Sequence, residues 1–361
     1  MKRLVFTVTN ELTFDQRMIR ICTSLQNAGY QVLLVGRKYS STAPLQQQPF
    51  AQKRIACFFK KGAAFYLEYN IRLFFYLLFK KSDLLCAIDL DTILPCLFAS
   101  KIRGTKRVYD AHELFCEMKE IVTRKKIYKV WKGIEKFAVP RFTYGYTVNE
   151  EIQQIFKREY NVDYKVIRSI SVLRKLVPQS PENFIIYQGA VNEGRSFETL
   201  IPAFKYINTP LHIYGDGNFF DEAKQLIKKY GLEEKVYLMG KLKPDQLREV
   251  TPKALFGITL FENNGLSNYY SLANRFFDYI HAGIPQLCVK YPVYKRINEQ
   301  FEVAFLTEDL SSESLSKTIN SILADTGALT RLRQNCVEAR KFYNWQTEEK
   351  KLLDYYKEIF E

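Results

Sequence analysis

The stretch SLANRFFDYIHAGIP, residues 271–285, decides the fold because it predicts a helix whose two ends and one face are all specified. Ser271 is a suitable N-cap, and Gly283 followed by Pro285 is a suitable end. Apolar residues at helical spacing predict a buried stripe made of Leu272, Phe276, Tyr279 and Ile280. A different, polar face carries Ser271, Asn274 or Arg275, and Asp278.

That polar face suggests a nucleotide site. Free amides and the positive dipole end at the start of a helix suit a diphosphate, and the Asp278 carboxylate, about two turns further in, can accept hydrogen bonds from a ribose diol. A plain amphipathic core helix is the alternative interpretation.

Outward from this helix, the chain alternates predicted strands and helices. A first series runs from RLVFTV at 3–8 through QVLLVG, LLCAID, KRVYDA at 106–111 and YGYTVN; a second runs from FIIYQG at 184–189 through LHIYG, VYLMG, FGITL and PQLCV. This order predicts two doubly wound α/β domains with parallel sheets. Residues 166–182, with two prolines and little periodicity, predict the hinge.

The chain resembles the GT-B glycosyltransferases, specifically glycosyltransferase family 4. The resemblance rests on an acid five positions before a glycine, Asp278 before Gly283, and on a final helical segment at 338–360. It implies two Rossmann-like domains facing each other across a cleft, with a C-terminal helix that crosses back to the first domain. The implied bounds are 1–168 for the acceptor domain, 180–340 for the nucleotide-sugar donor domain and 341–361 for the helix.

The resemblance also implies the donor-site residues. Asp278, a shorter variant of the usual Glu, holds the ribose, and Gly189 and Arg195 grip the diphosphate. Tyr270 stands where many members carry a second Glu near the donor sugar, and Glu262 is a substitute acid at a different spacing. The remaining expected donor contacts are Lys241 and Leu242 at the nucleobase, and Ser271, Leu272, Asn274 and Arg275 along the helix start.

The loop GAVNEGRS at 189–196 has a second interpretation, because it resembles the phosphate-binding loop of nucleoside triphosphatases with Arg where Lys is required. Arg is a planar fork and Lys a flexible point charge, so the two are not interchangeable. A solvated helix-start residue is the plain alternative for Arg195.

In the first domain, His112 and Glu113 follow the strand KRVYDA. The resemblance implies that His112 contacts the transferred sugar and the acceptor, with Asp110 or Glu113 orienting its ring; a His that satisfies local hydrogen bonds is the alternative. Further acceptor-side candidates are Asp15, Arg17 and Asp91. Asp89 and Asp91 are too few for a metal site without a third ligand nearby, and helix-start polarity is an equal explanation for Asp15 and Arg17.

Charge and composition restrict the classes of partner and the cellular setting that are expected. The 361 residues carry a net charge of +14 and are 47% hydrophobic, without an apolar run long enough to span a membrane. Residues 53–81 set basic clusters around apolar helical stretches, which predicts either a helix on an anionic membrane surface or a core helix with snorkelling lysines. Seven cysteines without a CxxC pair indicate a reduced, cytoplasmic setting, and MKRLVFTVTN reads as a core strand rather than a signal peptide.

The expected function is therefore retaining transfer of a sugar from a nucleotide-diphosphate donor to a saccharide or lipid-linked acceptor in cell-surface glycan synthesis. No metal or other cofactor is expected, and the protein is expected in the cytoplasm, peripherally on the inner face of the membrane. Two alternatives are a non-catalytic nucleotide-sugar-binding subunit and a basic adaptor for membranes or nucleic acid; the expected partners exclude nucleic acid, because only charge favours it.

Overall fold

The computed structural model describes residues 1–13, 15–39, 44–177 and 179–361. The chain divides into two compact units: unit 1 comprises Met1–Ser169 and Thr347–Glu361, and unit 2 comprises Ile170–Gln346. Pro178, one of the two prolines in the predicted hinge, lies outside the described residues.

Unit 1 contains a parallel sheet with helices between its strands; its central strands are buried and apolar, whereas its edge strands are more polar. Its strands are β1 Arg3–Thr7, β2 Gln31–Lys38, β3 Ala51–Ala56, β4 Leu84–Ile88, β5 Lys106–Ala111, β6 Tyr144–Thr147 and β7 Lys165–Val166. Its helices are α1 Gln16–Asn27, α2 Gly62–Phe79, α3 Ile93–Arg103, α4 Lys119–Val122, α5 Lys125–Ala138 and α6 Glu150–Tyr160. Within the described residues the order is β3-β2-β1-β4-β5-β6-β7, so the strand order reverses between β1 and β4.

Unit 2 repeats this plan. Its strands are β8 Ile185–Gln188, β9 Leu211–Tyr214, β10 Val236–Gly240, β11 Gly257–Thr259, β12 Gln286–Val289 and β13 Ala304–Thr307. Its helices are α7 Phe197–Ala203, α8 Phe220–Tyr230, α9 Pro244–Val250, α10 Leu266–Tyr269, α11 Asn274–Ala282, α12 Pro292–Phe301, α13 Ser312–Ala324 and α14 Thr326–Phe342. In this part of the structure the order is β10-β9-β8-β11-β12-β13, with the reversal between β8 and β11. The predicted pair of doubly wound parallel sheets is confirmed.

The predicted C-terminal helix is confirmed as α15 Trp345–Phe360, but the segment 338–360 also contains the end of α14, so it is broken between two helices. The break lies at Tyr343 and Asn344. The buried Asn344 amide donates hydrogen bonds to the carbonyls of Arg340 and Lys341, which satisfies the last turn of α14. Thr347–Glu361, most of α15, belongs to unit 1, where Tyr356 packs on Phe6 and the Tyr355 hydroxyl accepts a hydrogen bond from the Gly145 amide.

The predicted helix start at Ser271 is wrong. Helix α11 begins at Asn274, and its N-cap is Ala273, which provides no side-chain hydrogen bond. The cap comes instead from α12, because the Tyr294 hydroxyl accepts the Ala273 amide at 3.1 Å and lies 3.4 Å from the Ser271 hydroxyl. The predicted end is confirmed: Gly283 is left-handed, with a φ of 70°.

Candidate active site

The first candidate site lies in unit 2, at the carboxyl ends of β8 and β11, where the strand order reverses. Ligands of doubly wound sheets bind at this position. Gly189 follows β8 with a φ of 123°, and a Cβ on Gly215 of the next loop would lie 1.8 Å from the Gly189 carbonyl oxygen. Glycine at both positions therefore lets two backbone loops approach closely.

Arg275 is the most unusual residue of this site. Sequence reasoning placed it on a polar helix face, yet it is 8% exposed. Its guanidinium lies 4.4 Å from the ring centre of Tyr187 and 5.1 Å from that of Phe261, and its Nη1 is buried without a hydrogen-bond partner. Burial opposes the charge, but the neighbouring tyrosines hold the pKa of Arg275 above its usual value. The result is a buried cation with an unused donor.

Arg195 approaches the ring of Phe261 from the loop between β8 and α7. Its guanidinium lies 4.3 Å from the Phe261 centre, and its Nη1 donates to Asn268 Oδ1 at 3.5 Å. Ser196, the N-cap of α7, has a φ of 60°, a strained value that redirects the chain directly after Arg195. Two guanidinium groups therefore converge on one aromatic ring beside Gly189, and this arrangement is suited to a diphosphate.

Asp278 lies about one turn inside α11, not two turns as predicted, because the N-cap is Ala273, two residues after Ser271. Its Oδ1 accepts the Ser171 hydroxyl at 2.8 Å, and its Oδ2 is 3.5 Å from Gln188 Nε2. The helix is anchored by Tyr279, whose hydroxyl donates to Ile186 and accepts the Gln188 amide at 3.1 Å. A Cβ on Gly257 would lie 2.5 Å from that ring, so glycine is needed there.

The loop after β11 and the start of α10 hold a hydrogen-bonded network of one acid and two asparagines. Glu262 accepts from Asn264 Nδ2 at 3.1 Å, and Asn268 Nδ2 donates to Asn264 Oδ1 at 2.7 Å. The Glu262 amide donates to the Gly194 carbonyl at 3.1 Å, so this loop is tied to the Arg195 loop. Glu262 therefore belongs to the same network as Arg195.

The other predicted donor residues occupy different surroundings. Tyr270 packs against Tyr269, with 5.0 Å between ring centres, and Leu272 is partly buried against the core. Asn274 is exposed on the first turn of α11. Lys241 is exposed after the edge strand β10, and Leu242 packs on a small cluster that includes Tyr279. Lys241 and Leu242 therefore follow a strand that is separated from β8 by β9.

The second candidate site lies in unit 1, after β4 and β5. Both ring nitrogens of His112 face carboxylates: Nδ1 is 3.2 Å from Asp89 Oδ2, and Nε2 is 3.3 Å from Asp110 Oδ2. Burial opposes the charged ring, but Asp110 and Asp89 raise the pKa of His112 to about 10. His112 is therefore an imidazolium at neutral pH.

Asp110 is held in turn by Arg17. This carboxylate is fully buried, and Arg17 Nη2 donates to its Oδ1 at 2.8 Å. Burial would raise the pKa of Asp110, but the charges of Arg17 and His112 keep it below its usual value. Arg17, predicted to line the acceptor side, thus lies buried behind His112, and its Nη1 also bonds the Ile167 carbonyl.

The other acceptor-side candidates have different surroundings. Asp15 is the N-cap of α1 and accepts the Met18 amide at 3.0 Å, whereas Glu113 lies half-buried beside His112. Asp89 has a φ of 54° and a ψ of 176°, a backbone conformation rare outside glycine, and it also accepts the His112 amide at 3.0 Å. Asp89 therefore combines a rare backbone conformation with two contacts to His112, one to the ring and one to the backbone amide.

Asp91 is almost fully buried and accepts a hydrogen bond from the Thr9 hydroxyl. Burial, with the nearby Asp89 charge, raises the pKa of Asp91 to about 7. This carboxyl can therefore gain or lose a proton near neutral pH.

We expect Asp91→Asn to be more stable than the wild type above pH 7. The folded-state pKa lies above the ordinary 3.8, so the wild-type carboxyl favours folding at low pH and loses that contribution as the pH rises from 3.8 to about 7. Each pH unit in this window is worth about 1.4 kcal/mol. Urea unfolding of both proteins at several pH values tests this; parallel pH dependences would contradict it.

The comparisons with known proteins agree with this geometry. Residues 171–341 match the family model of glycosyl transferases group 1. No curated protein matches the chain. Among solved structures, sucrose-phosphate synthase from Thermosynechococcus elongatus is 14% identical, with a TM-score of 0.77 over 100% of this chain and 99% of that one. Anabaena HepE in complex with UDP-glucose is 15% identical, with a TM-score of 0.77 over 98% and 99%. Residues 171–341 therefore form a glycosyl transferases group 1 domain, and the protein is a glycosyltransferase with the GT-B fold.

Proposed function

We propose that this glycosyltransferase moves a sugar, with retention of configuration, from a nucleoside-diphosphate sugar to a saccharide or lipid-linked acceptor in cell-surface glycan synthesis. The observation that carries the proposal is the convergence of Arg195 and Arg275 on Phe261 beside Gly189. HepE, which shares the fold, has been solved with UDP-glucose, so UDP-sugars are the first donors to test.

In this proposal the bond between the sugar C1 and the diphosphate oxygen breaks, and the acceptor oxygen bonds to C1 on the same face. The acceptor proton goes to the departing phosphate. Arg195 and Arg275 neutralise the charge that develops on the diphosphate, a role that a metal ion performs in other enzymes. We therefore propose transfer without a metal cofactor.

Asp278 binds the ribose in this proposal. Its carboxylate is oriented by Ser171 and Gln188, and a carboxylate can accept hydrogen bonds from both hydroxyls of a diol. Glu262 and Tyr270 are proposed near the donor sugar, and Lys241 and Leu242 near the nucleobase.

His112 is proposed on the acceptor side, with Asp91 and Glu113. Because both ring nitrogens already face carboxylates, His112 contributes a fixed positive charge rather than a free base. We propose a cytoplasmic protein that works at an anionic membrane surface. No helix in the described part of the chain combines the length and the hydropathy that crossing a membrane requires.

The first test is thermal stabilisation by UDP-, GDP-, ADP- and TDP-sugars in the presence of EDTA. A ligand that binds the folded state raises the melting temperature. We expect a shift with one base in the wild type and in the control Glu299→Ala, which removes an exposed carboxylate from α12. The shift should be lost in Asp278→Ala.

Two outcomes would contradict the proposal. The absence of a shift with every donor, in protein shown to be folded, would contradict the assignment of the donor site. A shift that requires a divalent cation would contradict transfer without a metal. Binding without any release of nucleoside diphosphate would favour the non-catalytic binding subunit.

A further inference from the structure

Helix α2 is apolar on two opposite sides. Phe65, Tyr69, Leu73 and Leu77 are buried and pack into unit 1, as a core helix requires. The opposite stripe is exposed, although it consists of large apolar side chains: Leu67 is 65% exposed and Phe79 is 81% exposed, with Ile71 and Phe75 between them. Core packing therefore explains the buried apolar stripe of α2 but not the exposed one.

The neighbouring helices continue the exposed stripe. Phe98 and Ile102 are exposed on α3, and Ile127, Val130 and Phe137 are exposed at helical spacing on α5. Phe98 lies against Phe137, with 6.3 Å between ring centres. Helices α2 and α3 also pack side by side. The exposed apolar side chains of α2, α3 and α5 thus form one surface, which we call the apolar face.

Helix α2 is also linked to α5 directly, because the rings of Tyr66 and Trp131 meet edge to face at 5.4 Å. Trp131 packs on Phe115 behind it, with 4.9 Å between ring centres. Ring contacts therefore join the two helices that carry most of the apolar face.

Positive charge surrounds the apolar face. Exposed lysines precede and follow α2, at Lys60 and Lys61 and at Lys80 and Lys81, and α5 carries four more, at Lys125, Lys126, Lys129 and Lys136.

Acidic charge does not offset these lysines. The three helices lie wholly within the described residues and contain two acids, Glu68 and Glu135. Glu135 is buried and paired with Lys132, and Glu68 is paired with Arg72. Neither acid of the three helices is therefore available to offset the exposed lysines at the border of the apolar face.

We propose that the apolar face docks on a lipid bilayer with anionic headgroups, where its aromatic and aliphatic side chains enter the interfacial layer and its lysines meet phosphate groups. A second copy of this chain is a poor occupant, because pairing two such faces would bring their lysines together. The inference deepens the proposed function by assigning the surface through which the enzyme reaches its membrane.

The experiment is co-sedimentation of the full chain with vesicles of phosphatidylcholine alone or mixed with phosphatidylglycerol. We expect binding to the anionic vesicles that weakens with added salt. Two double variants should each weaken it on the order of tenfold or more: Phe75→Ser with Phe79→Ser, and Lys126→Glu with Lys129→Glu.

Each double variant has a matched control in unit 2. Tyr206→Ser with Phe342→Ser removes two exposed rings, and Lys224→Glu with Lys228→Glu changes the net charge equally on α8. Both controls should bind vesicles as the wild type does. Equal loss in the variants and their controls would overturn the proposal, as would a dimer in solution that Phe75→Ser with Phe79→Ser dissociates.

Donor binding separates this inference from the proposed function. All four double variants should keep the thermal shift with the nucleotide sugar, since none of them touches the donor site. Failure of the wild type to bind the anionic vesicles, with its donor shift intact, would overturn the docking surface alone.

Discussion

Arg275→Met is expected to abolish most of the turnover while leaving the fold intact. Mutational losses for a group that stabilises transition-state charge are about 10²–10³-fold in kcat, and we expect a loss of this size in the release of nucleoside diphosphate. The variant should melt no lower than the wild type, because Met replaces a buried cation whose Nη1 has no hydrogen-bond partner with an apolar chain of similar volume.

Two controls make this result specific. Arg275→Lys keeps the charge but loses the planar stack between Tyr187 and Phe261, so its loss should be smaller. Arg331→Met removes an exposed arginine that pairs with Glu302 and should be active. Wild-type turnover in Arg275→Met would show that Arg275 takes no part in the reaction. A much lower melting temperature of this variant would show that Arg275 stabilises the fold.

His112→Gln is expected to lose activity and to change the pH dependence of stability. The folded-state pKa of His112 is raised to about 10 from the ordinary 6.5. Its contribution to stability is therefore complete below pH 6.5 and is lost as the pH rises towards 10, at up to about 1.4 kcal/mol per pH unit. The free energy of unfolding of the wild type should fall across this window relative to that of the variant.

Activity gives an independent readout for His112. If the residue acts as a fixed imidazolium, any inflection of wild-type turnover near pH 6.5 to 7 should persist in His112→Gln, and the loss in the variant should be about the same at every pH between 6.5 and 9. An inflection near 6.5 that the variant abolishes would show instead that His112 titrates as an ordinary base.

The sequence was sufficient for the two sheets, because most strands are continuous apolar runs that end in glycine or polar residues. Strands β3, β7 and β13 were missed. The sequence AQKRIA of β3 lacks an apolar alternation, and β7 has two residues, so their pairing with longer neighbours determines them. The end of α11 was predictable because Gly283 acts locally, whereas its start depends on Tyr294, a residue distant in sequence.

The site shows the same division. Local motifs and the family resemblance were sufficient to name Gly189, Arg195 and Asp278 as candidates. The burial of Arg275 could not be found this way, since it depends on two rings distant in sequence, Tyr187 on β8 and Phe261 in the loop after β11. Likewise, Asp110 was one of two candidates to orient His112, but the second carboxylate on the ring comes from Asp89, directly after the neighbouring strand β4.

The most direct test of the donor site is a calorimetric titration of UDP and of uridine into the wild type, Arg275→Met and Asp278→Asn. If another base gives the shift in the donor panel, its nucleoside diphosphate and nucleoside replace these two. We predict that Arg275→Met binds UDP on the order of 10- to 100-fold more weakly while its affinity for uridine is unchanged, because in the proposed site the guanidinium contacts only the diphosphate. Asp278→Asn should weaken both ligands. Equal affinity of UDP for all three proteins would contradict the assignment of this site.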